Sequence, residues 1–343
     1  MKKCADRTIL SYAFAVLVLF VLFIVNLFYG SIDIPADEVL SILSGNGSER
    51  EVWRTVVLET RLPQALTALL AGAAISVAGL LLQTLFRNPL AGPEVLGVNS
   101  GAALGVAIVM LCAGGTAVSG FCGSGSYVMV LGGAFAGALF IMLIMLLLSA
   151  ALRNNMFLLI AGVAVSYITS SAITLLNYYS TAEGVHSYMV WGMGSFGGIS
   201  MQQMAFFAPV CLSLLMAALA MMKPLNALLL GDAYALNLGV SVKIVRTVAL
   251  CVIGLLSAAV TAFCGPVSFI GLAVPHISRI VLRNNNHQYL IPATIVLGGA
   301  IALLCNLICQ LPGERGLLPL GAITPLIGAP VIIYVVLKNR GMR

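Results

Sequence analysis

VLGVNSGAALGVAIVMLCAGGTAVSGFCGSGSYVMVLGGAFAGALFIMLIMLLLSAAL, residues 95–152, runs from Glu94 to Arg153 without a single charged side chain. A membrane crossing takes about 20 predominantly apolar residues. These 58 residues therefore hold two crossings, 95–113 and 127–151, joined by a glycine-rich turn. Outward from this stretch the pattern repeats. The gaps Arg246–Arg279, Arg283–Glu314 and Arg315–Lys338 are also free of Asp, Glu, Lys and Arg. Backbone inside lipid must satisfy its hydrogen bonds within the segment, so such runs predict helices. Barrel strands would alternate apolar and polar residues over about ten positions, and these runs do not.

The same reading along the whole chain predicts an all-α polytopic protein of about ten transmembrane helices. They fall at residues 9–29, 64–86, 95–113, 127–151, 156–178, 203–222, 246–264, 268–282, 290–309 and 322–337. The eighth is short, contains Pro275 and reads as broken or re-entrant. Residues 188–200, with Trp191 and several glycines, read as an interfacial element rather than a crossing. Composition agrees: 61% of the chain is apolar, 8% charged, and mean hydropathy is +1.08. A soluble domain carries about 25% charged residues. Residues 1–343 are expected to form one transmembrane domain, with a periplasmic loop at 30–63 and a cytoplasmic loop at 223–245. Lys2, Lys3 and Arg7 precede a first apolar run that is too long for a signal-peptide core of 7–15 residues and lacks a small-residue cleavage site, so it reads as an uncleaved helix.

Basic residues set the orientation. With both termini cytoplasmic, 13 of the 17 Lys and Arg fall inside, leaving Arg50, Arg54, Arg61 and Arg315 outside. Trp53, Trp191, Tyr178, Tyr179 and Tyr188 then fall on the outer side, as an aromatic belt requires. The net charge of +6 is thus a topology signal, and nothing points to nucleic acid. Gly97, Gly101 and Gly105 repeat at four-residue spacing, as do Gly133 and Gly137, which predicts close helix packing. Pro93 and Glu94 suit the first turn of the third helix, where proline loses no needed N–H and a carboxylate faces the positive dipole end.

Catalytic chemistry is not visible. There is no P-loop, no H-E-x-x-H and no G-x-S-x-G, and His186, His276 and His287 lack metal-ligand spacing. His276 is expected to make a structural polar contact. No metal or cofactor is expected on this chain. No predicted span carries a charge near its centre, whereas ion-coupled transporters place ionisable groups there. An external motor is therefore expected. The loop at 223–245 offers a handle for one: Asp232 is expected to cap a short helix through Ala233, Ala235 and Leu238, ended by Gly239 in the left-handed conformation. A membrane-embedded lipid enzyme or an ion-coupled exporter are the alternatives, the first lacking a metal-binding cluster and the second an intramembrane charge.

Several blocks in order carry a resemblance. They are Arg61-Leu-Pro, Arg87-Asn-Pro-Leu-Ala through Gly105, Trp191–Gly198, Gly231–Val240, Gly265–Arg279 and Pro319–Pro330, spread over about residues 35–338. Together they resemble the FecCD-type permeases of ATP-binding-cassette importers for iron–siderophore, haem or cobalamin. The resemblance implies ten helices, a second copy of the permease, a cytosolic ATPase dimer that binds ATP and magnesium, and a periplasmic substrate-binding protein, all assembled at a bacterial inner membrane. It implies a coupling helix at 229–241, a pathway along the permease interface partly lined by the fifth helix, and a cytoplasmic gate around Asn154, Asn155 and Met156. It also implies docking of the binding protein on outer basic residues, here Arg61 with Arg315, Arg50 and Arg54 nearby, although Gln64 and Gln310 stand where basic residues are often found. Cys112 and Cys122 flank an outer loop and would close a short ring if bridged.

Overall fold

A computed structural model describes residues 2–30, 32–45, 50–112, 124–151, 155–311 and 316–340. Every regular element among them is helical. α1 spans Lys2–Phe28, followed by short α2 (Ala36–Leu43) and α3 (Glu51–Thr55). A π-helical segment, Val56–Arg61, runs on into α4 (Leu62–Phe86). A 3-10 turn, Pro93–Leu96, precedes α5 (Val98–Cys112). Then come α6 (Ser124–Ala151), α7 (Asn155–Tyr179), α8 (Ala182–Gly192) and α9 (Met201–Ala220). Two short helices, α10 (Met222–Leu229) and α11 (Asp232–Asn237), lead to α12 (Val242–Cys264). α13 (Ile270–Leu282), α14 (His287–Gln310) and α15 (Leu320–Arg340) complete the chain.

Among the described residues, seven helical stretches are long and apolar enough to cross a membrane, and they coincide with the first, second, fourth to seventh and ninth expected spans. The third, eighth and tenth coincide with shorter apolar helices, Val98–Leu111, Ile270–Leu282 and Leu320–Val335. At 1.5 Å per residue, α13 is only about 20 Å long, shorter than the roughly 30 Å of a bilayer's hydrocarbon core. It begins after Phe269, which sits at φ 66°. α5 likewise follows an irregular stretch, the 3-10 turn, and that turn meets the first turn of α13: a Cβ on Gly271 would lie 2.8 Å from Cδ of Pro93.

α4 is the axle of the bundle. Its apolar window is 89% buried, against 17% for α1 and α7, because α14, α12, α13 and α9 pack around it. Its sequence is apolar on every side, as a fully enclosed helix must be. The second close contact joins α5 and α6. A Cβ on Gly105 would lie 1.9 Å from the carbonyl oxygen of Gly133, and one on Gly137 would lie 2.1 Å from that of Gly101. The expected glycine stripe therefore exists for Gly101 and Gly105. Gly97 lies outside it, because it closes the 3-10 turn at φ 74° before α5 begins.

Two expectations about the 30–63 segment change. It is largely helical, and α4 with its π-helical and α3 extension forms one 36-residue stretch, Glu51–Phe86. Charged Glu51, Arg54, Glu59 and Arg61 hid that extension, since they interrupt the apolar run. Ile34, Val39, Ile42 and Val57 form a small separate core that folds the segment against this rod.

Candidate functional site: a clamped short helix at the basic end of the bundle

The ends of α4, α13 and α15 converge with α10 and α11. Asp232 is the first residue of α11 rather than its cap; Gly231 occupies the cap position, and no side chain bonds there. The carboxylate turns instead toward two arginines. Its Oδ1 lies 2.5 Å from Nη2 of Arg87, and its Oδ2 lies 3.7 Å from Nη2 of Arg246. Arg87 also donates to the Leu228 carbonyl oxygen at 3.1 Å. The end of α4 and the start of α12 thereby grip the short helix from both sides. Ala235 is fully buried against the bundle, while Ala233, Tyr234, Leu236 and Leu238 face outward. Gly239 ends the turn at φ 79°, donating to Leu236 O at 2.9 Å. A β-branched residue is strongly disfavoured at that φ. α11 thus presents apolar side chains on an ionic hinge, with Ala235 as its anchor rather than part of its outer face.

Beside this helix a cavity of about 730 Å³ opens between α4, α13 and α15. Arg87, Arg279, Arg283 and His276 line it. Arg279 donates to Gln83 Oε1 at 2.5 Å. His276 meets the Pro89 carbonyl oxygen through Nε2 at 2.7 Å, so that nitrogen carries the proton, and the contact is the structural one expected. His287 is held between Thr84 at 2.8 Å and Asn226 at 2.9 Å. Among the described residues no three His, Cys, Asp or Glu side chains could hold a metal together.

At the opposite end, Arg61 is not at the surface. It is buried, and it donates to the carbonyl oxygens of Leu27 at 3.0 Å, Phe28 at 2.8 Å and Ile32. The π-helical segment carries the side chain inward, where it satisfies orphan carbonyls at the end of α1. A docking residue must meet its partner across water, so the expected role does not fit Arg61. Gln64 and Gln310 are buried too. Gln64 donates to Asn306 at 2.9 Å, and Asn306 donates to Asn26 at 2.7 Å, which ties α4, α14 and α1 together. Arg50 stands over the Trp53 ring at 4.7 Å, and Arg54 is exposed. Arg315 lies outside the described residues, as do Asn154 and Cys122 and the side chains of Asn155 and Cys112. Met156 is exposed in the first turn of α7.

Glu94 was expected in the first helical turn after Pro93, at the edge of a span, and it stands in the first turn of the 3-10 helix that Pro93 opens just before α5. It lines a second cavity, of about 350 Å³, with Val163, Ser166, Tyr167 and Ser170, midway along α7. The Arg87–Asp232 clamp was missed by sequence, because the paired positions, 145 residues apart, gave no local signal.

What the bundle offers is an interior between helices and, at its basic end, a short helix with apolar side chains turned outward. That is the construction of a membrane permease. The chain belongs to the FecCD transport family, whose profile it matches over residues 18–338. It is 37% identical over 291 residues to the vitamin B12 import system permease protein BtuC of Citrobacter koseri, covering 83% of each chain. It is 33% identical over 328 residues to the BtuC protein of Klebsiella pneumoniae subsp. pneumoniae, covering 95% of this chain and 92% of the relative. Among solved structures, a metal-chelate type ABC transporter in an inward-facing conformation superposes with a TM-score of 0.82 at 28% identity. That match covers 96% of this chain and 99% of the other. The protein is thus a multi-pass permease of an ABC importer and not an enzyme.

Proposed function

We propose that this permease carries cobalamin or an iron chelate (a ferric siderophore or haem) from the periplasm to the cytoplasm across a bacterial inner membrane. Two copies pair around the pathway, an ATPase dimer docks on their cytoplasmic faces, and a periplasmic binding protein delivers the substrate. The observation that carries this reading is α11: a short helix with Tyr234, Leu236 and Leu238 exposed, yet held by Asp232 to both Arg87 and Arg246. An outward apolar face on a rigid mount is what a motor needs to push against. The vitamin B12 relatives support cobalamin, and the metal-chelate type transporter supports a chelate.

In this reading all ten apolar helices cross the bilayer, both termini are cytoplasmic, and the end bearing Arg87, Arg246, Arg279 and Arg283 faces the cytoplasm by the positive-inside rule. α7, with Ser166, Ser170 and Tyr167 on one side, lines part of the pathway, and its first turn with Asn154–Met156 forms the gate. The binding protein meets Arg315, Arg50 and Arg54 rather than Arg61. The test is uptake of radiolabelled cyanocobalamin, ferric siderophore and haem by a strain lacking the chain, with and without plasmid-borne copies. One substrate restored by the wild-type copy and not by a Leu236→Asp copy supports the proposal. No uptake of any of the three would reject the substrate class.

A further inference from the structure

The cavity between α4, α13 and α15 holds more positive charge than the protein neutralises. Asp232 is shared between Arg87 and Arg246. Arg279 has a neutral partner, the Gln83 amide, and Arg283 stands exposed at the rim. Taking a charge out of water is costly unless an opposite charge accompanies it. A half-buried guanidinium with no carboxylate within 4 Å therefore calls for an anion from outside the chain. Guanidinium groups match phosphate through paired N–H donors.

The shape narrows the choice. At about 730 Å³ the cavity is of a size to enclose a molecule larger than a small ion. One side of its wall is apolar: Val335, with Ile280 and Leu229 about two-fifths exposed. It lies at the ends of apolar helices, where lipid headgroups are found, and basic pockets between such helices suit acidic headgroups. We propose that this cavity binds the phosphate of an acidic phospholipid, held by Arg279 and Arg283, with an acyl chain lying over Ile280 and Val335. The lipid would sit against the mount of α11, since Arg87 belongs to both the cavity and the clamp. The shared chemistry is a phosphate ester; free phosphate is the competing source.

The test uses the full-length permease in detergent and counts bound lipid by native mass spectrometry. Dioleoyl-phosphatidylglycerol, dioleoyl-phosphatidylcholine and inorganic phosphate serve as probes. Wild type should retain phosphatidylglycerol about tenfold better than phosphatidylcholine, and high salt should weaken that preference. Arg283→Gln, at an exposed position that does not threaten folding, should lower the preference about fivefold, and Arg279→Gln further, while Arg54→Gln at the opposite end should leave it unchanged. If millimolar inorganic phosphate displaces phosphatidylglycerol completely, the site takes phosphate and the acyl contact is wrong. Equal retention of both lipids by wild type, or no change in either cavity variant, overturns the proposal. So does an unchanged preference in Arg283→Gln combined with loss of the ATPase from the purified complex, which would give the cavity to the motor.

Discussion

A carbonyl oxygen or a carboxylate a few ångströms away decides what single residues of this permease can tolerate. Gly105 has no room for a side chain, because its Cβ would lie 1.9 Å from the Gly133 oxygen, which belongs to backbone and cannot swing aside. Gly132, one residue along from Gly133, faces open space. Gly105→Val should therefore cost about 3 kcal/mol or more by forcing α5 and α6 apart, while Gly132→Ala stays within about 0.5 kcal/mol. Thermal melts of the two purified variants measure the difference. Arg61 makes the same point with polarity. Arg61→Met strips the donors from the carbonyls of Leu27 and Phe28, at a cost of about 1–3 kcal/mol for each acceptor left dry. Stability should fall while the salt dependence of binding-protein capture stays as in wild type. A changed capture rate at low salt with unchanged melting would return Arg61 to the dock. Sequence could not separate these cases, because a buried arginine and an exposed one interrupt an apolar run identically. Asn26 and Asn306 bond across 280 positions, and no local pattern announces it.

Among the elements, the long uniform helices and the short α13 were legible, and the irregular turns between helices were not. α6, α7, α9, α12 and α14 fall where unbroken apolar runs placed them, since length and hydropathy alone decide a crossing. α13 was legible as a short, interrupted segment from its length and Pro275, whereas the 3-10 turn before α5 is irregular backbone that no periodicity describes. The short α11 was legible in position, from Asp232 to Gly239, and misread in mechanism: the carboxylate serves Arg87 and Arg246 rather than the helix terminus. This distinction has a measurable consequence. Asp232 and Arg87 are each about half exposed, and exposed ion pairs contribute about 0–1 kcal/mol. Asp232→Asn should barely move the melting temperature but should uncouple the motor, leaving ATPase activity in the reconstituted complex with transport reduced severalfold. Gly239→Val should act differently, since holding a β-branched residue at φ 79° costs about 1–3 kcal/mol locally and shifts the helix itself. If Asp232→Asn lowers stability and leaves transport per folded molecule intact, the clamp is structural and the motor's push enters elsewhere.

At the scale of the whole molecule, the distribution of basic residues decides which way the bundle faces. The basic end carries α11 with Arg87, Arg246, Arg279 and Arg283, while the other end carries α2, α3 and Arg54. Positive residues stay on the cytoplasmic side, so the handle should be inside and the helical 50–61 segment outside. Single cysteines test this in a background lacking the eight native ones. Cys211, Cys264, Cys305 and Cys309 are free thiols buried among the helices, and replacing them with alanine or serine removes little volume. Two reporter positions are exposed and lie at opposite ends: Val52, 68% exposed in α3, and Arg283, at the rim of the basic cavity. A membrane-impermeant maleimide should label Val52→Cys in intact spheroplasts and should reach Arg283→Cys only after permeabilisation. The pair is self-checking, because a leaky preparation labels both and an inaccessible one labels neither until detergent is added. Labelling of Arg283→Cys but not Val52→Cys in sealed cells would turn the molecule over. It would put α11 beyond the reach of any cytosolic ATPase and refute the motor-docking role proposed for it.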